Sequence, residues 1–148
     1  MTLEEVLIKQ TFISKLLFKN ESEELNKELK AKIMHMRIEL GKFRKAFDAD
    51  VQEAIKDIKP SNYDELFDKQ DKTPEDEKEL HALNLKIDGE YKAFIAEKHK
   101  EEVIFNKKFT EDEYFELVNV NSSNDIDING NKLNGPDFLE IIYNLFVA

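Results

Sequence analysis

The fold is decided by residues 20–58, which are NESEELNKELKAKIMHMRIELGKFRKAFDADVQEAIKDI. Apolar side chains recur in this stretch in steps of three and four residues, the spacing that lines one face of an α-helix. They are Leu25, Leu29, Ile33, Met36, Leu40, Phe43, Phe47, Val51, Ala54 and Ile58. The spacing predicts a single helix about 55 Å long at about 1.5 Å per residue, capped by Asn20 and ending before Pro60.

Shorter helices are predicted on both sides of the long one. Thr2 with Glu5 matches the capping box of a first helix of about fifteen residues, and Thr73 before Pro74 is a strong start signal for a third helix that runs to about residue 100. Residues 60–73 form a short polar connection between the long helix and the third helix. A connection of this length favours antiparallel packing of the third helix against the long one. Because two helices alone enclose little interior, we expect the first helix and the C-terminal region to complete the core.

The C-terminal region has a different pattern of short elements. Residues 103–105 predict a strand, and residues 110–113 form a second capping box. Residues 125–128 alternate polar and apolar side chains before Asn129 and Gly130, which favours a β-hairpin with a two-residue turn. A last, nearly all-apolar helix follows Asn134. The prediction is a mainly α protein with a long antiparallel helical hairpin, an additional N-terminal helix and a small α/β C-terminal portion, divided into domains 1–102 and 103–148.

Composition and charge limit the classes of function. The 148 residues carry a formal net charge of −10, which repels free nucleic acid unless basic residues are segregated on one face. The chain has no cysteine, which excludes disulfides and thiolate zinc sites and fits a reducing cytoplasm or a particle assembled there. We expect no signal peptide and no membrane span, because no basic and apolar leader and no run of about 18 apolar residues occurs.

One motif raises the question of a metal. Asp125, Asp127, Asn129 and Gly130 match the first half of a calcium-binding EF-hand loop. The twelfth position, where a bidentate glutamate belongs, is Pro136. We therefore predict no metal site, and keep Asp125, Asp127 and Asn129 as weak calcium candidates in an alternative reading of the chain as a calcium-modulated binding module.

Other catalytic signatures are missing from the sequence. His35, His81 and His99 do not stand at metal-ligand spacing, and no phosphate-binding loop or nucleophile elbow occurs. We predict a protein that is not an enzyme and needs no cofactor. A further alternative, a small helical enzyme with carboxylate chemistry, requires paired acids with raised pKa values that converge in a pocket.

A basic band is conspicuous in this acidic chain. It comprises His35, Arg37, Lys42, Arg44 and Lys45 on the long helix. One interpretation is that these side chains pair with carboxylates of the third helix. The other is that, with Phe43 and Phe47, they form an interface for an acidic surface of a neighbouring subunit. The second interpretation gains support from the apolar stripe of the long helix, which is longer than that of the third helix, because exposed apolar surface usually marks a partner site.

The layout of the chain resembles a recurrent small protein of tailed bacteriophages. The resemblance lies in residues 32–47, KIMHMRIELGKFRKAF, with the polar connection and the returning helix that follow them. It extends to residues 103–105, to 109–113 and to the helix that opens with residues 135–139, GPDFL. The resemblance implies a non-enzymatic component of a phage virion, in its head-tail or tail region, or an assembly chaperone. It also implies a location in the host cytoplasm during assembly and then in the virion, with contacts to copies of itself or to virion neighbours.

Overall fold

The computed structural model describes residues 1–148 as six α-helices and one two-stranded sheet. The elements are α1 (Leu3–Ile13), α2 (Lys27–Ile58), α3 (Tyr63–Asp68), α4 (Pro74–His99), α5 (Glu111–Asn121), β1 (Ile126–Ile128), β2 (Asn131–Leu133) and α6 (Gly135–Phe146). The predicted fold class, mainly α with one long helix and a small C-terminal β-hairpin, is confirmed. No helix combines the length and the apolar character needed to cross a bilayer.

The long helix begins later than predicted. Asn20 does not cap it, because the Asn20 side chain accepts hydrogen bonds from the backbone N–H groups two and three residues ahead, at 2.8 and 2.6 Å. These bonds close a local turn, a conformation that asparagine favours. The cap is instead Asn26, whose Oδ1 accepts from the N–H of Leu29 at 2.8 Å. The helix ends at Ile58, shortly before Pro60, as predicted.

The chain forms two compact units with boundaries other than the predicted 1–102 and 103–148. The first unit contains residues 1–44 and 102–148, and the second contains residues 45–101. The C-terminal region belongs with the N-terminal one because α6 packs against both α1 and α5. One hydrophobic core therefore joins the two ends of the chain.

The core of the first unit is rich in large apolar side chains. α2 contributes every third or fourth residue from Leu29 to Leu40, each at most 1% exposed. α6 was predicted to be buried, and its Phe138, Ile142 and Phe146 are fully enclosed. α1 has the predicted capping box but is eleven residues long instead of about fifteen.

Residues 103–105 do not form the predicted strand. The N–H of Val103 donates to the carbonyl oxygen of Met1 at 2.8 Å, but only an isolated bridge between Thr2 and Glu102 accompanies it. The segment is fixed by its aromatic side chains, since Phe105 and Phe109 are each 3% exposed. The apolar run of residues 103–105 therefore reflects the anchoring of Phe105 in the core and not a sheet.

The predicted β-hairpin is present. β1 and β2 pair antiparallel, with Ile126 opposite Leu133. Asn129 and Gly130 connect the strands with φ values of 53° and 83°, and both residue types tolerate that left-handed conformation. After β2 the chain continues into α6, whose cap is Asn134, as predicted.

The second unit is a helical hairpin with little interior. The C-terminal half of α2 runs antiparallel to α4, since Phe47 stacks on His99 with ring centroids 5.6 Å apart and Asp50 pairs with Lys98 at 2.7 Å. α4 begins with a capping box between Thr73 and Asp76. Val51 is the only apolar residue of this unit that is buried. The two helices are thus held by a half-buried apolar stripe and by the ion pair between Asp50 and Lys98.

Candidate functional site

The residues of the predicted interface have different surroundings. His35, Lys42 and Lys45 are exposed, whereas Arg37, Arg44, Phe43 and Phe47 are half-buried. Phe43 packs against the core of the first unit, and Phe47 stacks on His99 within the second. The structure therefore separates the predicted interface into exposed cations and side chains already engaged in intramolecular packing.

Arg37 binds the C-terminal end of α1. Its Nε and Nη2 atoms donate to the carbonyl oxygen of Ile13 at 3.1 and 3.0 Å, and Nη2 also donates to the carbonyl oxygen of Leu16 at 2.7 Å. The guanidinium lies 4.9 Å from the ring centroid of Phe18. Burial lowers the pKa of Arg37 from its ordinary value. A planar guanidinium suits this task because it presents several donors in a fixed fork.

Arg44 makes a similar contact nearer the middle of α1. Its Nη2 atom donates to the carbonyl oxygen of Leu7 at 3.2 Å and to the hydroxyl of Thr11 at 3.3 Å. Its Nε atom donates to Oε1 of Gln10 at 3.2 Å. The seven-residue spacing of the two arginines matches two turns of α2 and places both on the flank that faces α1.

The contacts of the two arginines correct one interpretation of the basic band. Neither Arg37 nor Arg44 forms a salt bridge, so the interpretation that they pair with carboxylates of the third helix is wrong. Both use backbone and side-chain oxygens of α1 and of Leu16, which follows it. Docking of an acidic partner remains a prediction for the exposed cations of the band, His35, Lys42 and Lys45.

The weak calcium candidates stabilise the β-hairpin. Oδ1 of Asp127 accepts from the N–H of Gly130 at 2.9 Å, and Oδ1 of Asp125 accepts from the N–H of Gly135 at 3.2 Å. Asn129 is the first turn residue, with its positive φ. No group of three or more histidine, cysteine, aspartate or glutamate side chains is arranged to hold a metal ion.

Three carboxyl groups have shifted pKa values, and all three are lowered. A hydrogen bond from Lys30 lowers the pKa of Glu24, and one from Lys69 lowers the pKa of Asp76 to about 2. For Glu113, burial raises the pKa, but the hydrogen bonds from Lys32 and Thr110 outweigh it, so the net shift is downward. These groups are held as carboxylates, whereas the alternative of carboxylate catalysis requires acids with raised pKa values.

Sequence reasoning missed two buried polar side chains. Asn121 is fully buried, and its Oδ1 accepts from the N–H of Leu17 at 2.8 Å while its Nδ2 donates to the carbonyl oxygens of Leu17 and Leu117. Lys9 is 8% exposed and lies 5.7 Å from the ring centroid of Phe105. Each side chain joins segments distant in sequence, so no local pattern could have identified it.

Exposed apolar side chains mark two further surfaces of the first unit. Met34 and Ile38 of α2 are 48% and 56% exposed, and Phe115 of α5 is 60% exposed. Met34 and Ile38 are four residues apart and share one helical face.

Comparison with known proteins yields no matching family model, no matching curated protein and no matching solved structure.

Proposed function

We propose that this protein is a non-enzymatic structural or assembly protein that acts through helical contacts with other chains. The observation that carries the proposal is the second unit, in which 57 consecutive residues form an antiparallel hairpin with Val51 as the only buried apolar side chain. A chain segment of this size has too small an interior to be strongly stable alone. Such a hairpin is typical of an element that presents its surface to a partner.

The sequence of α4 supports this interpretation. Its apolar residues Leu80, Leu83, Ile87, Tyr91 and Phe94 recur at helical spacing but are only half-buried. Leu85, on another face of α4, is 62% exposed, and Phe67 of α3 is 57% exposed. Apolar side chains that remain accessible after folding are expected where a partner covers them. We therefore expect the second unit to be stabilised on binding.

The charge of the chain favours protein partners. Acidic residues outnumber basic ones by 32 to 22, and the excess extends into the second unit. A partner with basic side chains opposite this unit would be attracted, whereas free nucleic acid would be repelled.

The phage setting rests on the resemblance of residues 32–47 and of the C-terminal segments to a small protein of tailed bacteriophages. With that setting we propose a location in the host cytoplasm during assembly and then in the virion.

The test is to delete the gene for this protein from the genome that carries it and to analyse the particles that are then produced. A virion component is expected in stoichiometric copies in purified wild-type particles, measured by quantitative mass spectrometry. An assembly chaperone is expected to be absent from mature particles, while its deletion lowers the particle yield. The proposal is overturned if deletion changes neither the yield, the composition nor the infectivity of the particles, or if the genome encodes no particle.

Two variants and one control connect this test to the second unit. Leu85→Glu and Phe67→Asp place a charge on exposed positions of α4 and α3, so we expect the protein to remain folded. If the second unit binds a partner, these variants lower incorporation or particle yield. Glu90→Lys, also on an exposed position of α4, is the control for a charge change outside the apolar positions.

A further inference from the structure

The outward face of α2 in the first unit carries an apolar stripe whose two large side chains are about half exposed. We name it the α2 outer stripe; its residues are Ala31, Met34, Ile38 and Gly41. Their spacing of three, four and three residues keeps them on one face, and the core residues Ile33, Met36 and Leu40 occupy the opposite face. Apart from adjacent residues and the local helix backbone, no atom lies within 4 Å of the position that a Cβ of Gly41 would take. The stripe therefore has a gap beside its two large side chains.

Basic side chains border the α2 outer stripe. Lys27, His35 and Lys42 are exposed, and neither lysine forms a salt bridge in the structure. The two acidic residues of this part of α2, Glu28 and Glu39, are about three turns apart and share another flank, where Glu39 pairs with Lys107 at 2.9 Å. The stripe is thus an apolar surface in a locally basic setting, although the whole chain is acidic.

Phe115 is the complementary feature on α5. Its side chain is 60% exposed, and its ring centroid lies 6.4 Å from that of Tyr114. Glu111 and Asp112 stand one turn before it on the same exposed face. The pKa of Tyr114 is raised by burial and then by the charges of Glu140 and Glu111, which is consistent with negative potential around this aromatic pair. Phe115 is thus an exposed aromatic side chain in an acidic setting.

We propose that the protein associates with itself by placing Phe115 of one copy on the α2 outer stripe of a second copy. The inference rests on the proposed function as an assembly protein and names the partner surface. Phe115 fills the space beside Gly41, against Met34 and Ile38. Glu111 and Asp112 of the first copy then face Lys27 and Lys42 of the second.

Each part of this contact has a physical reason. Aromatic side chains are the commonest anchors of interfaces, because one ring buries a large apolar area at little cost in rotamer freedom. Opposite charges around the anchor favour this docking and oppose stripe-to-stripe docking, in which the lysines of two copies would face each other. Phe115 and the stripe are different surfaces, so the contact is heterologous and allows a closed ring or a chain of copies.

The size and charge of the contact predict its behaviour in solution. One aromatic anchor and a short stripe bury less than the roughly 1,200 Å² of a standard interface, so the association is weak and depends on protein concentration. Exposed charges are screened by salt within about 10 Å at 0.1 M ionic strength. We therefore expect association to weaken as sodium chloride is added.

The test is sedimentation equilibrium of the intact chain over a range of concentrations. The variants are Ile38→Glu, which places a carboxylate in the stripe, and Phe115→Ser, which removes the anchor. Both positions are more than half exposed, and circular dichroism checks that both variants are folded. Each is expected to lower the association constant by at least about tenfold. Glu90→Lys, at an exposed position of α4 outside its apolar residues, is the control and associates like the wild type.

Mixing the two variants separates the proposed contact from other modes of association. An equimolar mixture of Ile38→Glu and Phe115→Ser contains one intact stripe and one intact Phe115, so it forms 1:1 dimers and nothing larger. Charge reversal gives an independent check. Lys42→Glu and Asp112→Lys each weaken association, and the double variant, with both charges reversed, regains it.

Three results would overturn the inference. The first is a wild-type protein that stays monomeric at every concentration. The second is a Phe115→Ser variant that associates like the wild type, which would show that another surface mediates the contact. The third is an equimolar mixture that remains monomeric. None of these results bears on the deletion experiment, because a protein that is monomeric in solution can still be required for particle assembly.

Discussion

The Nη2 atom of Arg37 lies 2.7 Å from the carbonyl oxygen of Leu16, so a side chain of the long helix fixes the segment where the chain leaves α1. The last carbonyl groups of a helix have no partner within the helix. Arg37 supplies donors for this end of α1. The Cζ atom of its guanidinium lies 4.9 Å from the ring centroid of Phe18. The orientation of α1 on α2 therefore depends on a charged residue and not on apolar packing alone.

We expect Arg37→Ala to destabilise the protein by about 2 to 3 kcal/mol. The change leaves the part-buried carbonyl group of Leu16 without a donor, which costs about 1 to 3 kcal/mol, and removes a cation–π contact worth about 0.5 to 2 kcal/mol. The carbonyl oxygen of Ile13 loses its side-chain donors but still accepts from the N–H of Leu16 at 3.3 Å. Arg37→Lys is expected to lose part of this stability, because an ammonium group cannot reproduce the fork of the guanidinium. The measurement is the free energy of unfolding from urea denaturation.

The control for Arg37 is Lys42→Ala on the same helix. Lys42 is exposed and makes no hydrogen bond in the structure, so its removal is expected to change the free energy of unfolding by less than about 0.5 kcal/mol. Equal effects of the two substitutions would show that Arg37 does not hold α1 in solution.

Gly135→Ala is expected to destabilise the first unit by about 1 to 3 kcal/mol. A Cβ at Gly135 would lie 2.0 Å from the carbonyl oxygen of Ser122, and the clash is with backbone, so α6 or the end of α5 must move. The matched control is Gly89→Ala in α4, where nothing lies within 4 Å; it is expected to stabilise its helix by up to about 1 kcal/mol. Thermal unfolding of both variants gives the comparison. The close approach at Gly135 is refuted if both variants are stabilised.

The sequence predicted those elements whose signals are local. The capping residues Thr2, Thr73 and Asn134 and the turn residues Asn129 and Gly130 do in the structure what their residue types favour. The end of α2 before Pro60 was predicted for the same reason, because proline lacks an N–H group to continue a helix and disfavours helical conformation in the residue before it. Helix existence and turn position thus required no knowledge of tertiary contacts.

The parts that sequence reasoning could not predict depend on long-range contacts. Arg37 and Arg44 were grouped with the exposed cations because they share a helix with them. Their acceptors lie on α1 and just after it, 21 to 37 residues away in sequence. Residues 103–105 were predicted to form a strand, but Phe105 is buried there without a sheet. The division into units was missed because it depends on the packing of α1 against α6.

The second unit is expected to exchange its amide hydrogens faster than the first. Residues of α4 have no buried side chain, whereas α6 buries Phe138, Leu139, Ile142 and Phe146. Local opening needs less free energy where few apolar contacts are lost. Hydrogen exchange measured by mass spectrometry should show lower protection for peptides of residues 74–95 than for those of residues 135–146. Equal protection would contradict the view that the hairpin has little interior of its own and would weaken the argument that it awaits a partner.

The start of α4 is expected to lose its stabilising contacts at low pH, because Asp76 is held as a carboxylate. The hydrogen bond from Lys69 at 2.7 Å, with that from the N–H of Thr73 at 3.0 Å, lowers the pKa of Asp76 from 3.8 to about 2. A lowered pKa in the folded state means that the contribution to stability is present above pH 3.8 and is lost as the pH falls towards about 2. NMR titration of the side-chain carboxyl carbon of Asp76 should therefore give a midpoint near 2.

Lys69→Ala should raise the pKa of Asp76. Lys72→Ala is the control and should leave that pKa unchanged, because Lys72 donates to the carbonyl oxygen of Lys69 and not to Asp76. An Asp76 midpoint near 3.8 in the intact protein would show that the ion pair at the start of α4 does not form in solution.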